Sequence, residues 1–127
     1  MEMIRLILPP SPRHASTARM VVASLAYEAG FDVDGIEDLR LAVNEVVAVL
    51  TDTENSAHNG DVQDSTDDVE IEFSVGKGQM EIVLQRPAAT NDIVLDELAV
   101  TILTAVVDDH EYSDGVFRLR KHVGNGD

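Results

Sequence analysis

Residues 38–49 read Asp-Leu-Arg-Leu-Ala-Val-Asn-Glu-Val-Val-Ala-Val, and the spacing of their apolar members decides the fold class. Advancing ~100° per residue from Ile36, the side chains of Ile36, Leu39, Val43, Val46, Val47 and Leu50 fall on one face, the pattern of a helix laid against a core. Glu45 stands well off that face, in line with Asp38 and Val49. A carboxylate with no place in the main core points toward a second surface, and that makes Glu45 the candidate catalytic group of the chain. Asp34 followed by Glu37 has the capping-box spacing and predicts the start of this helix, with fraying near Thr51 or Asp52.

Upstream, residues 3–8 form a short apolar run stopped by Pro9 and Pro10, which predicts a first strand near a sheet edge, because proline cannot donate to a ladder. Ser11 and Pro12 read as N-cap and first helical residue of another helix, which runs to about Ala29 and closes on Gly30. Ala18, Val21, Val22, Leu25 and Ala29 give it a core face. Its opposite side carries Ser16, Met20, Ala23 and Tyr27, an unusually apolar stripe for an exposed surface, bordered by Arg19. Two readings stay open for that stripe: packing under a neighbouring loop, or contact with a partner.

Downstream, residues 52–68 are polar, acidic and almost without apolar side chains, the composition of a long mobile loop. Asp61, Asp64, Asp67 and Asp68 within it do not follow the calcium-loop spacing with its closing Glu, so metal binding is not expected there. Val69, Ile71, Phe73 and Val75 alternate with polar residues, as do Met80, Ile82 and Leu84 after a Gly76-Lys77-Gly78 turn, which predicts an antiparallel hairpin. A third helix is expected from about Val94 to Val107, with Leu95, Leu98, Ala99, Ile102, Leu103 and Val106 facing the core. A second hairpin turning at residues 113–115 ends near His122, followed by a frayed tail. The order strand, helix, helix, hairpin, helix, hairpin implies an α+β two-layer sandwich, a mostly antiparallel sheet covered on one face by three helices.

Length and composition narrow the function. The 127 residues suit a single domain spanning 1–127. There is no cysteine, which removes disulfides, thiolate zinc sites and a cysteine nucleophile. Twenty-four acidic against nine basic residues leave a formal charge of -15, which disfavours nucleic acid as a direct ligand, since phosphate binding draws on clustered Lys and Arg. That acidity serves solubility, a basic partner or a salt-rich environment equally well. No segment is long and apolar enough to span a bilayer and no leader pattern opens the chain, so a cytoplasmic location without membrane contact is expected. His14, His58, His110 and His122 show no metal spacing, and no serine sits in an elbow motif.

Residues 18–26 (Ala-Arg-Met-Val-Val-Ala-Ser-Leu-Ala), 38–46, 102–109 and 117–122 (Phe-Arg-Leu-Arg-Lys-His), in this order, resemble the anti-sigma factor serine kinases of the RsbW and SpoIIAB type, within the GHKL (Bergerat-fold) ATPase superfamily. The chain looks like the divergent actinobacterial branch that includes UsfX. The resemblance implies that Glu45 is the Glu of the Glu-x-x-x-Asn box, a general base. Val49 stands where the magnesium-binding Asn belongs, and an isopropyl group offers no lone pair to Mg²⁺. Gln85-Arg86-Pro87-Ala88-Ala89 replaces the adenine-recognising Asp-x-Gly-x-Gly, and Asp92 comes too late to stand in for it. Asp96-Glu97-Leu98-Ala99 replaces a phosphate-cradling Gly-x-Gly. With all three nucleotide motifs altered, Glu45 is expected to be vestigial, with no metal bound and with ATP and magnesium disfavoured as cofactors. Arg19 matches the family's arginine that contacts the sigma factor and its antagonist, so Arg19, Met20, Tyr27, Ser16 and Ala23 are the expected partner-binding residues. The implied function is a pseudokinase-like anti-sigma regulator whose partners are a sigma factor or a STAS-domain antagonist. The alternative is an active ATP-dependent serine kinase acting on that antagonist. The resemblance also implies a homodimer.

Overall fold

The computed structural model describes residues 1–51, 67–88 and 93–124. Strand β1 (Glu2–Leu8) leads through a single 3-10 turn, Pro12–His14, into helix α1 (Ala15–Ala29) and then helix α2 (Val33–Leu50). Strands β2 (Val69–Gly76) and β3 (Gln79–Gln85), helix α3 (Glu97–Val106), and strands β4 (Asp109–Ser113) and β5 (Val116–His122) complete the order. The five strands form one sheet in the order β1-β2-β3-β5-β4, and every neighbouring pair is antiparallel.

Register explains why one face of the sheet carries all three helices. Ile4 lies opposite Phe73, Phe73 opposite Ile82, and Ile82 opposite Leu119, so a single apolar row crosses four strands. Leu6, Ile71, Leu84 and Phe117 make the next row. Against these rows pack Ala18, Val22 and Ala26 of α1, Leu39, Val43, Val46, Val47 and Leu50 of α2, and Leu103 of α3, all buried. No helix among the described residues covers the other face, which carries a set of ion pairs. Arg5 pairs with Glu70 at 3.2 Å, and Arg120 reaches Glu81 at 3.1 Å, Asp109 at 2.5 Å and Glu111 at 3.7 Å. Those carboxylates raise the pKa of Arg120, the Asp109 hydrogen bond above all, so its charge is permanent.

Local chemistry sets the turns. Gly30, at φ 100, ends α1 in a left-handed conformation, with its own N–H and that of Phe31 returning to the last turn of the helix at 3.1 Å. Buried Phe31 then seals the α1–α2 connection. Asp114 and Gly115, both with positive φ, make the tight β4–β5 turn that the sequence places at residues 113–115.

Four expectations need correction. The cap of α2 is Asp32, whose side chain accepts from the Gly35 N–H at 2.8 Å, while Asp34 sits inside the first turn and Glu37 pairs with Arg40. Ser11 gives no side-chain cap, because the Pro12–His14 turn intervenes before α1. Helix α3 starts at Glu97, not Val94, because Asp96 accepts from the Ala99 N–H at 2.8 Å and leaves residues 93–95 as an irregular lead-in. Leu98, predicted in the core, is 67% exposed. The acidic stretch falls at residues 52–66 outside the described residues, as do Asp92, His58 and the tail at 125–127.

Candidate functional site

Helix α2 presents two lines of side chains to different neighbours. Along the line of Asp38, Glu45 and Val49 each side chain meets different surroundings. Asp38 pairs with the Lys121 ammonium at 3.4 Å, and Lys121 also donates to the Val106 carbonyl at 2.9 Å, tying the start of α2 to β5 and to the end of α3. Val49 is half-buried and packs against the core. Glu45 is half-buried, and no hydrogen bond or ion pair reaches it among the described residues.

The second line carries Glu37, Arg40, Leu41 and Asn44, and it meets α1. Arg19 Nη1 donates to Asn44 Oδ1 at 2.6 Å, across the seam between the two helices. Arg19 has no ion pair among the described residues. With Glu37, Asp38, Arg40, Leu41 and Asn44 it lines a shallow depression. Beside it on α1, Met20 and Tyr27 are 72% and 75% exposed, Ser16 is exposed with its hydroxyl on the Arg13 carbonyl, and Ala23 is half-buried. The apolar stripe therefore lies open among the described residues, and no described loop covers Met20 or Tyr27.

A larger cleft, of about 820 Å³, opens between the lead-in to α3 and the β4–β5 hairpin, with Ile93, Leu95, Val100, Tyr112 and Phe117 among its lining. Arg86 lines it too, yet the guanidinium is engaged elsewhere. Its Nε and Nη2 donate to the two oxygens of Asp67 at 2.9 and 2.8 Å, and Nη1 donates to the Leu50 carbonyl at 2.9 Å, the whole side chain being 3% exposed. Glu45 does not line this cleft.

The sequence resemblance places nucleotide motifs at three positions, and each of them holds something specific in the fold. Val49 gives apolar packing in place of a metal oxygen. Arg86 gives a buried cation in place of an acidic acceptor for an adenine amino group. At the start of α3, where backbone N–H groups would cradle phosphate, the Ala99 N–H is taken by the Asp96 carboxylate. Among the described residues no cluster of three or more His, Asp or Glu is close enough to hold a metal ion, and no helix is long and apolar enough to cross a membrane.

Sequence reasoning missed Arg86 and Asn44. Strand parity contains the signal for Arg86, since Met80, Ile82 and Leu84 face the core and residue 86 continues that alternation. For Asn44 the helical wheel gives its neighbours on α2 but says nothing of α1.

No family model matches the chain. Among curated proteins it is 28% identical over 79 residues to a serine-protein kinase RsbW of Listeria innocua, covering 62% of this chain and 46% of that protein. It is 27% identical over 90 residues to the same kinase of Bacillus licheniformis, covering 71% of this chain and 52% of the relative. The chain thus spans about half the length of the curated relatives it matches. A solved structure of RsbU and RsbW domains from a Mycobacterium tuberculosis protein superposes with a TM-score of 0.62 at 17% identity, covering 97% of this chain and 32% of that one. The chain is RsbW-like in sequence, and it shares the α+β fold of that structure.

Proposed function

We infer, from its likeness to the RsbW serine-protein kinases, that this chain is an anti-sigma factor-like regulator that sequesters a sigma factor or a related signalling protein by binding, without kinase activity. The observation that carries this reading is Val49, an apolar side chain packed on the core at the position of the metal-binding Asn. Magnesium needs an octahedral oxygen shell, and a phosphoryl transfer that depends on a bridging metal loses its main electrostatic support without one. Arg86 and Asp96 support the same conclusion, each being committed to a structural contact at a nucleotide position.

What remains available is surface. Arg19 with exposed Met20 and Tyr27 joins a cation to an apolar stripe, the composition of a contact anchor. Occlusion of the partner is then the mechanism. A STAS-type antagonist competing for the same surface would release the sigma factor.

An active kinase acting on such an antagonist is the second reading, and Glu45 favours it, being half-buried with no hydrogen bond among the described residues, so that its carboxylate is available to take a proton from a hydroxyl. Calorimetry with Mg-ATP separates the two. The binding-only reading expects no saturable heat at micromolar protein, and clear micromolar binding would overturn it. The surface is tested by Arg19→Glu, which is expected to weaken partner binding by about 2 kcal/mol or more if Arg19 is a contact anchor. Unchanged affinity for every identified partner would show the surface to be wrong.

A further inference from the structure

We propose that Asn44 is the positioning residue for Arg19, and that the partner-binding surface straddles the α1–α2 seam, taking in Leu41 and Arg40 and receiving a carboxylate of the partner. This rests on the reading of Arg19 as a partner contact and adds the group that aims it.

An arginine on an exposed helix face carries a large rotamer entropy, which binding must otherwise quench. Here one guanidinium nitrogen is held by Asn44 Oδ1 at 2.6 Å, from the neighbouring helix, before any partner arrives. The choice of an amide for that task matters in this chain. The protein carries 24 acidic residues against nine basic ones, and among the described residues the other arginines whose side chains make contacts each meet a carboxylate: Arg5, Arg40, Arg86 and Arg120. Arg19 is oriented by a neutral acceptor instead, so its direction is fixed while no carboxylate among the described residues pairs with it. A guanidinium has five N–H donors in a planar fork, and the ones not spent on Asn44 match the two oxygens of a carboxylate.

The flanks fit the same occupant. Leu41, 40% exposed, supplies apolar lining to the depression that Arg19 and Arg40 share with Glu37 and Asp38, the latter two carboxylates being paired with Arg40 and Lys121, and exposed Met20 follows Arg19 on α1. Arg40 is itself paired with Glu37 at 2.8 Å, so Arg19 is the principal cation offered to the partner. The partner element is therefore an acidic side chain set beside apolar ones.

The test uses Asn44→Asp and Asn44→Ala, because they separate orientation from charge. Asn44→Asp keeps an acceptor of the same shape and is expected to hold Arg19 at least as firmly, with an unchanged melting temperature, yet it neutralises the site. Asn44→Ala keeps the charge and frees the guanidinium. The probe is the blocked peptide acetyl-Leu-Glu-Glu-Leu-amide, with acetyl-Leu-Gln-Gln-Leu-amide as control, titrated into isotope-labelled protein while the Arg19 Nε–H and Leu41 methyl resonances are followed. The acidic peptide is expected to shift both saturably and the glutamine peptide neither. Asn44→Ala is expected to collapse the Arg19 Nε–H resonance toward the free-arginine position and weaken peptide binding about fivefold to tenfold. Asn44→Asp is expected to abolish binding. An Arg19 resonance unmoved by Asn44→Ala, equal binding of the glutamine peptide, or wild-type affinity in Asn44→Asp would each overturn the proposal. A failure of the sequestration reading shows itself separately, as unchanged partner affinity in Arg19→Glu with the Arg19–Asn44 resonances as described.

Discussion

Arg86, its own side chain almost wholly buried, joins three polar groups: both oxygens of Asp67 and the Leu50 carbonyl at the end of α2. Arg86→Met removes one partner of a buried ion pair and is expected to destabilise the protein by about 3 kcal/mol, measured by urea unfolding. Arg86→Lys keeps the charge without the planar fork, cannot serve all three acceptors at once, and should recover only part of the loss. Asp108 behaves differently because it is exposed. Burial pushes its carboxyl up, but the backbone N–H and imidazole of His122, helped by the Lys121 charge, outweigh this and hold the pKa below its ordinary value. A carboxyl lowered by folding contributes stability above its unfolded pKa, and that contribution is lost as pH falls through the folded one. Acid titration below about pH 4 should therefore cost the wild type more than Asp108→Asn, by under about 1 kcal/mol given the exposure of the pair. Residues of these two kinds differ in how legible they are. Strand parity already points Arg86 inward, whereas the contacts of Asp108 with His122 and of Arg19 with Asn44 join elements whose relative placement only the folded chain fixes.

At the scale of elements, the helices were readable where an apolar face was long and their ends were not. Leu39, Val43, Val46, Val47 and Leu50 repeat at helical spacing over about three turns, and all are buried. The start of α2 is harder because two acidic residues compete: Asp34 has the capping-box partner in the sequence, but Asp32 has the extended backbone that puts its oxygen on the Gly35 N–H. Asp32→Ala should cost about 1 kcal/mol in thermal or urea unfolding, while Asp34→Ala should change little, within about 0.5 kcal/mol. A reversed order would restore the capping box. Helix α3 was read too long because Val94 and Leu95 continue an apolar pattern that periodicity alone cannot stop, and Leu98 was placed in the core by the same extension. The cap at Asp96 ends that ambiguity, and it also uses the helix terminus that a phosphate would need.

Over the whole molecule, the alternation of β2 and β3 and the hairpin turns were enough to specify a two-layer α+β sandwich with helices on one sheet face, and the register then fills in the charge ladder across the other face. The candidate site was less legible, since its meaning lies in which side chains of α1 and α2 touch. The formal charge of -15 is a property of the entire chain, and its self-repulsion falls as salt shortens the screening length from about 30 Å at 0.01 M to about 3 Å at 1 M. The melting temperature is expected to rise by a few degrees over that range, read by calorimetry, and a flat profile would mean that the ion pairs of the sheet face offset the repulsion. The Arg86 contacts carry one more consequence, which concerns time. They connect residues 19 and 36 positions apart, and they can close only after β3 has joined the sheet and α2 has docked on it. Interactions absent from the folding transition state govern the rate of opening, so Arg86→Met should leave the refolding rate nearly unchanged and speed unfolding by about two orders of magnitude. The guanidinium is then a latch on the lifetime of the fold, setting how long the α2–β3 contact stays closed once made.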